Sequence, residues 1–255
     1  MPKKRLIFTL LYQEDAFYLS RNFRLQRVGD LEWLSKNYEF SAVANSIDEL
    51  IILDVSRGER NIDAFCNTVA EISANCFIPL ALGGGITTAA EADRLISSGA
   101  DKLVLNTTLT RDPDFVTSLI DTYGSQCIIA SIDYRIENGA CAVYINQGQE
   151  RMGFSLESYL CRLEQLKVGE IYLNCIDHDG TGTGYHLESL EMLPRSFNMP
   201  LIIAGGAGNQ KHLLQGLDCS QIDAAATANL FNFVGDGLPR SRAYLLENGV
   251  SMARW

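Results

Sequence analysis

No stretch of this sequence approaches the roughly 18–20 consecutive apolar residues that a membrane-spanning helix needs. The short apolar run after Met1-Pro2-Lys3-Lys4-Arg5 is too brief for the core of a signal peptide, so a soluble, cytoplasmic protein without a membrane partner is expected. Histidine is scarce, at three residues, and the seven cysteines at 66, 76, 127, 141, 161, 175 and 219 contain no C-x-x-C pair. That combination argues against a zinc site and against a disulfide framework; reduced thiols, no metal and no cofactor are expected. Positive charge is short as well, with 21 Lys and Arg against 31 Asp and Glu and a net charge of −10. Without a broad basic surface, nucleic acid is not an expected partner, and a small anionic ligand must be held locally by backbone N–H groups and a few cations.

What the sequence does have is enough apolar content for a large core, 47% hydrophobic residues against 20% charged. Eight short apolar runs, at 6–11, 49–55, 80–84, 103–106, 127–133, 170–176, 201–205 and 224–228, alternate with amphipathic stretches. This is the pattern of repeated βα units around a parallel sheet. In 61–73, Ile62, Phe65, Cys66, Val69 and Ile72 share one helical face, as a barrel's outer helix requires. Asp30, Thr88 and Asp112 stand where helix N-caps belong, the last followed by Pro113 at the first helical position. No linker or low-complexity segment interrupts the series, and Asn138-Gly139 predicts an inserted hairpin leading into 141–145.

The two halves of the chain resemble each other. Pro79-Leu80-Ala81-Leu82-Gly83-Gly84-Gly85 is echoed by Pro200-Leu201-Ile202-Ile203-Ala204-Gly205-Gly206, Glu49 by Glu170, and Ser98-Gly99-Ala100-Asp101 more weakly by Ser220-Gln221-Ile222-Asp223. An offset of 121 to 122 residues predicts a single (β/α)8 TIM barrel over residues 1–255, built from two duplicated half-barrels of four βα units.

In such a barrel the residues closing each strand carry the chemistry. Gly83-Gly84-Gly85 with Asn106-Thr107, and Gly205-Gly206-Ala207-Gly208 with Ala228-Asn229 opening a short helix, form two symmetric candidate anion cradles, although either glycine run alone also suits a tight turn. Together they imply a small ligand with a phosphate at each end. Asp54, Asp133 and Asp177, the last followed by Asp179, close strands, where a partly buried carboxylate is either a general acid/base or a loop brace. At the opposite strand ends, Arg5, Glu49, Lys102 and Glu170 point to the barrel floor, as a salt-bridged plug or as a gate on a passage.

With these residues in hand, Asp48-Glu49-Leu50-Ile51-Ile52-Leu53-Asp54, Gly83-Gly84-Gly85-Ile86, Ile132-Asp133, Ile176-Asp177-His178-Asp179-Gly180-Thr181 and Gly205-Gly206-Ala207-Gly208 resemble the cyclase (HisF-type) subunit of imidazole glycerol phosphate synthase, from about Arg5 to Phe233. The resemblance implies a glutaminase subunit (HisH-like) docked on the amino-terminal face, whose ammonia crosses the barrel. It places the ammonia gate at Arg5, Glu49, Lys102 and Glu170, and phosphate binding at Gly85, Asn106 and Thr107 and at Asp179, Gly180, Gly206, Ala228 and Asn229. One of the family's two catalytic aspartates maps onto Asp133.

The other, closing the first strand, is Leu11 here, and a leucine can neither donate nor accept a proton. The family's mobile first loop, which carries a catalytic lysine, reads Phe17-Tyr18-Leu19-Ser20-Arg21-Asn22-Phe23, with Leu19 at the lysine's place and Arg21 as a candidate phosphate clamp. Leu11 and Leu173-Asn174-Cys175 are similar to the glycosyl amidation-associated branch of the family. That likeness implies an ammonia-receiving subunit working with an ATP-dependent sugar amidotransferase toward acetamidino sugars of surface polysaccharides. The alternative is the genuine cyclase of histidine biosynthesis.

Overall fold

The computed structural model describes residues 3–38, 43–74 and 77–253; Cys76, counted above among the thiols, lies outside them. All eight expected runs are strands: β1 (Arg5–Gln13), β4 (Glu49–Asp54), β5 (Leu80–Gly83), β6 (Lys102–Leu105), β7 (Ile128–Glu137), β10 (Glu170–Cys175), β11 (Leu201–Ala204) and β12 (Ala224–Thr227). Each pairs in parallel with its neighbour, and β12 returns to β1 with Arg5 opposite Ala224, which closes the sheet into a (β/α)8 TIM barrel. Both faces of every strand are covered, which is why the runs read as continuously apolar. Alternate residues separate into two clusters. Ile7, Ile51, Val104, Ile129, Tyr172 and Ile202 fill the inside, while Phe8, Leu10, Leu50, Ile52 and their equivalents pack outward on the helices.

The helix starts follow the sequence signals. The side chains of Asp30, Thr88 and Asp112 accept the backbone N–H groups of Trp33, Glu91 and Phe115, and Glu91 closes a reciprocal capping box with Thr88. The helix Ile62–Ser73 buries Phe65, Cys66, Val69 and Ile72. Cys66, Cys127, Cys141, Cys161, Cys175 and Cys219 are free thiols. Among the described residues no helix is long and apolar enough to cross a membrane.

The strand-start device seen at both halves of the chain is a carboxylate clasp. Asp101 Oδ2 accepts the N–H of Leu80 at 2.8 Å, and Asp223 Oδ2 that of Leu201 at 2.9 Å. Asp48 Oδ2 does the same for Leu6 at 2.8 Å, so the clasp recurs in more than one βα unit rather than marking one pair of half-barrel positions.

Two segments depart from expectation and one expected hairpin gains a strand. The segment expected as the first loop has the conformation of a hairpin, β2 (Ala16–Arg21) and β3 (Arg24–Gly29), continuing β1 as an antiparallel meander. Its two turns place Glu14, Asp15, Asn22 and Phe23 at φ of 48°, 58°, 51° and 64°, the left-handed pairs that two-residue hairpin turns require. The Asn138-Gly139 hairpin forms between β7 and β8 (Ala140–Ile145), and a further strand, β9 (Glu150–Ser155), adds to its edge. The short helix expected at Ala228-Asn229 does not form. Residues 230–236 run as successive turns, whose first free N–H groups, those of Phe231 and Asn232, are capped by the Asn229 side chain at 3.2 and 3.0 Å.

Candidate functional site

At the amino end of the barrel, Arg5, Glu49, Lys102 and Glu170 are each the first residue of their strand, and all four point inward. They close into one alternating ring. Arg5 Nη1 meets Glu49 Oε2 at 2.8 Å, Lys102 Nζ reaches Glu49 Oε2 at 2.9 Å and Glu170 Oε2 at 3.0 Å, and Arg5 Nη2 completes the circuit to Glu170 Oε1. Burial raises the pKa of Glu49, and Lys102 opposes that shift. For Arg5 burial works the other way, yet the pull of Glu170 leaves its pKa above the ordinary value. Above the ring lies the inner apolar layer of Ile7, Ile51, Ile129 and Ile202, with the small side chains of Ala81, Ala224 and Ala226 among them.

At the carboxyl end the strands open onto a cavity of about 450 Å³, which Leu11, Asp133, Asn174, Gly85 and Gly206 all line. Asp133 is the buried carboxylate of this mouth. Asn106 Nδ2 donates to its Oδ2 at 2.9 Å and Asn174 Nδ2 to its Oδ1 at 3.1 Å. Burial pushes its pKa up to about 7, the two amides pull it back and the charge of Asp179 adds to the rise. A carboxyl poised there exchanges protons at neutral pH. The role of Asn174 was not among the sequence expectations, since only the register of β7 against β10, Asp133 opposite Asn174, brings the two together.

This arrangement has a measurable consequence. Because the folded pKa of Asp133 lies above the ~3.9 of an unfolded chain, the folded protein holds the extra proton between those values. Stability contributed by the site is therefore full below about pH 4 and falls as pH rises to 7. Asp133→Asn, neutral throughout, is expected to gain on the parent by up to ~4 kcal/mol between pH 4 and pH 8 in chemical denaturation. A difference that does not change with pH would show that Asp133 titrates normally.

The other strand-end carboxylates are braces. Asp54 Oδ1 accepts the N–H of Ser56 at 2.9 Å, and Asp177 accepts that of Ile136 at 2.7 Å and faces Arg135, outside the cavity lining. Asp179 takes hydrogen bonds from the hydroxyl of Ser20 and the N–H of Phe23, with Gly180 packed against the Ser20 carbonyl. These two expected phosphate residues thus clasp the hairpin over the mouth.

The glycine loops have the backbone expected of cradles: φ is 116° and 65° at Gly84 and Gly85, and 83° and 114° at Gly205 and Gly206. A Cβ on Gly84 would collide with the Asp54 carbonyl, so that position admits no side chain. Asn106 spends its amide on Asp133 and on the Ser131 carbonyl, and Thr107 Oγ1 accepts the N–H of Asn146 at 3.0 Å. Ala228 and Asn229 line the opposite half of the cavity. Arg21, the expected clamp, does not reach the cavity, because the hairpin presents Ser20 and Phe23 instead; Arg57 and Arg60 from the loop after β4 are there in its place.

Residues 30–235 match the family described as "Histidine biosynthesis protein". The chain belongs to this family. It is 43% identical, over the whole chain and 95% of the relative, to a protein of Parasynechococcus marenigrum (strain WH8102) named "Putative imidazole glycerol phosphate synthase subunit hisF2". It is also 34% identical to the imidazole glycerol phosphate synthase subunit HisF of Dictyoglomus turgidum (strain DSM 6724 / Z-1310), over 88% of this chain and 87% of that one. The HisF subunit of Chlorobium luteolum (strain DSM 273 / BCRC 81028 / 2530) is 31% identical over 80% and 82% of the two chains. Among the described residues of this family member, no cluster of three or more His, Cys, Asp or Glu is placed to hold a metal.

Proposed function

We propose that this HisF-like barrel is the ammonia-receiving subunit of a glutamine amidotransferase, with a glutaminase subunit on its amino-terminal face and a phosphorylated acceptor in its carboxyl-terminal mouth. The closed ring of Arg5, Glu49, Lys102 and Glu170 carries the reading. Four charges costly to desolvate close the amino end of a barrel whose inner apolar cluster includes Ala81, Ala204, Ala224 and Ala226, an arrangement suited to gating a small neutral molecule. The finer reading is service to an ATP-dependent sugar amidotransferase in surface polysaccharide synthesis. It is supported by Leu11, which removes the proton-transfer group from β1 while Asp133 and both glycine cradles persist.

The second reading is the cyclase of histidine biosynthesis. It is favoured by the names of the relatives and by Asp133, whose pKa of about 7 suits acid/base work. Both readings share the ring. With a glutaminase partner and amide-labelled glutamine, Lys102→Met is expected to leave glutamine hydrolysis and the fold intact while more of the labelled ammonia escapes to solvent. Unchanged delivery with lowered stability alone would make the ring a plug and remove the support for an ammonia route.

A further inference from the structure

We propose that the Gly85 half of the mouth is a diphosphate site, in which Arg57 and Arg60 each take one phosphoryl group, so that the ligand has one heavily anionic end. The proposal rests on the reading that the mouth binds a phosphorylated acceptor and narrows the class of that acceptor.

The two glycine cradles are near copies in sequence, but the structure makes them electrically unequal. Arg57 and Arg60 both line the cavity on the side of Gly84 and Gly85. The Arg60 guanidinium lies directly over Gly85, where any Cβ would overlap it, so the absence of a side chain makes room for the cation. On the opposite half, beside Gly206, Ala228 and Asn229, the lining contains no lysine or arginine, and its one carboxylate is that of Asp179. An anion there is held by backbone N–H groups alone. An anion at Gly85 meets two full positive charges.

Those charges are uncommitted. Among the described residues neither Arg57 nor Arg60 has a carboxylate within ion-pair distance, whereas Arg111, which shares the mouth, is paired with Glu150. Arg57 Nη2 donates to the Phe23 carbonyl at 2.7 Å and Arg60 Nη2 to the Ser56 carbonyl at 3.2 Å. Each guanidinium has five N–H donors, so several remain on both. The carboxylates of that half are engaged elsewhere, Asp54 with the N–H of Ser56 and Asp112 with that of Phe115. In a chain of net charge −10, two unpaired guanidiniums at one rim of one cavity are a local exception. Guanidinium forks match phosphoryl oxygens two at a time, and a diphosphate offers one such face to each arginine where a single phosphate must share its oxygens between them. The hydrogen bond from Arg57 to Phe23 also ties this cation to the hairpin turn that Asp179 clasps, which fixes its position over the mouth.

The test is calorimetric titration of the whole protein with inorganic phosphate, pyrophosphate, UDP and UDP-glucose at low and high salt. The same probes are applied to Arg57→Gln, Arg60→Gln, the double variant and Arg27→Gln, an exposed arginine of β3 outside the cavity lining. Pyrophosphate is expected to bind at least ~10-fold tighter than phosphate, with the preference lost in the double variant and retained in Arg27→Gln. UDP binding as pyrophosphate does, with UDP-glucose weaker, assigns the site to a terminal diphosphate; equal binding of UDP-glucose assigns it to a nucleotide-linked sugar. Equal affinities for phosphate and pyrophosphate in the parent, or a preference that survives the double variant, overturn the proposal while leaving a phosphate-binding mouth in place. Binding of none of the four probes overturns both the proposal and the phosphorylated-acceptor reading beneath it.

Discussion

Replacing Leu11 with aspartate is expected to raise ammonia-dependent cyclisation of the bisphosphorylated cyclase substrate by about 100- to 10,000-fold, the usual worth of one general acid/base group. Leu11 is the last inward-facing residue of β1 on the cavity wall, and it is almost fully buried there. The mouth therefore offers Asp133 on one side and a hydrocarbon on the other. An aspartate at position 11 would face a carboxyl that already holds its proton near pH 7, and the repulsion between them would drive the two pKa values further apart. One ionised and one protonated carboxyl is the pair that moving protons on both sides of a reacting centre requires. The measurement is steady-state turnover of the parent and of Leu11→Asp in ammonium salt. Robust turnover by the parent would restore the cyclase reading and discard sugar amidation. Turnover confined to the variant would show that position 11 alone separates this barrel from cyclase chemistry.

The second large effect is on stability. Glu49→Gln is expected to lower the unfolding free energy by about 1–3 kcal/mol, because it leaves Arg5 and Lys102 sharing Glu170 alone, a loss partly offset by relief of the burial cost that raises the Glu49 pKa. Glu49 is 2% exposed and is approached by both Arg5 and Lys102, whereas the side chains of those two cations keep 25% and 21% of their surface. Solvent contact at the two cations therefore limits the loss, which comes mainly from the hydrogen bonds that the Glu49 carboxylate accepts from them. Exchanging the pair together, Glu49→Leu with Lys102→Met, is expected to recover much of it, since an apolar pair needs no compensation. Denaturant unfolding decides the matter: a Glu49→Gln protein as stable as the parent would mean that the ring is solvated and contributes nothing to the fold.

Much of this architecture is visible before any coordinates. Eight apolar runs of strand length, the N-caps Asp30, Thr88 and Asp112, and the Asn138-Gly139 turn are local signals, and each local signal agrees with the closed barrel. The charged floor was legible for the same reason, since a charge at the first position of an otherwise apolar strand has only the barrel end to occupy. The hairpin of β2 and β3 was not, because its turns rest on Asn22, Phe23, Glu14 and Asp15 rather than on the Asn-Gly pair that announces such a turn. Nor was the run of turns at 230–236, which Asn229 caps but which does not propagate as a helix before Gly237.

Local periodicity and side-chain chemistry were enough for the strands, the helix caps and the charged floor, because these depend on residues a few positions apart, while the family and the missing carboxylate at Leu11 were implied by the resemblance of the motifs. The tertiary structure alone decided what each polar group spends its hydrogen bonds on. Asn106 and Asn174 converge on Asp133 from neighbouring strands, Asp179 reaches back 159 residues to clasp Ser20, and Arg60 comes to rest over Gly85. Each of those outcomes follows from closing the sheet, which brings strand ends distant in sequence around one mouth, and no pattern within a single βα unit encodes which partner will be nearest.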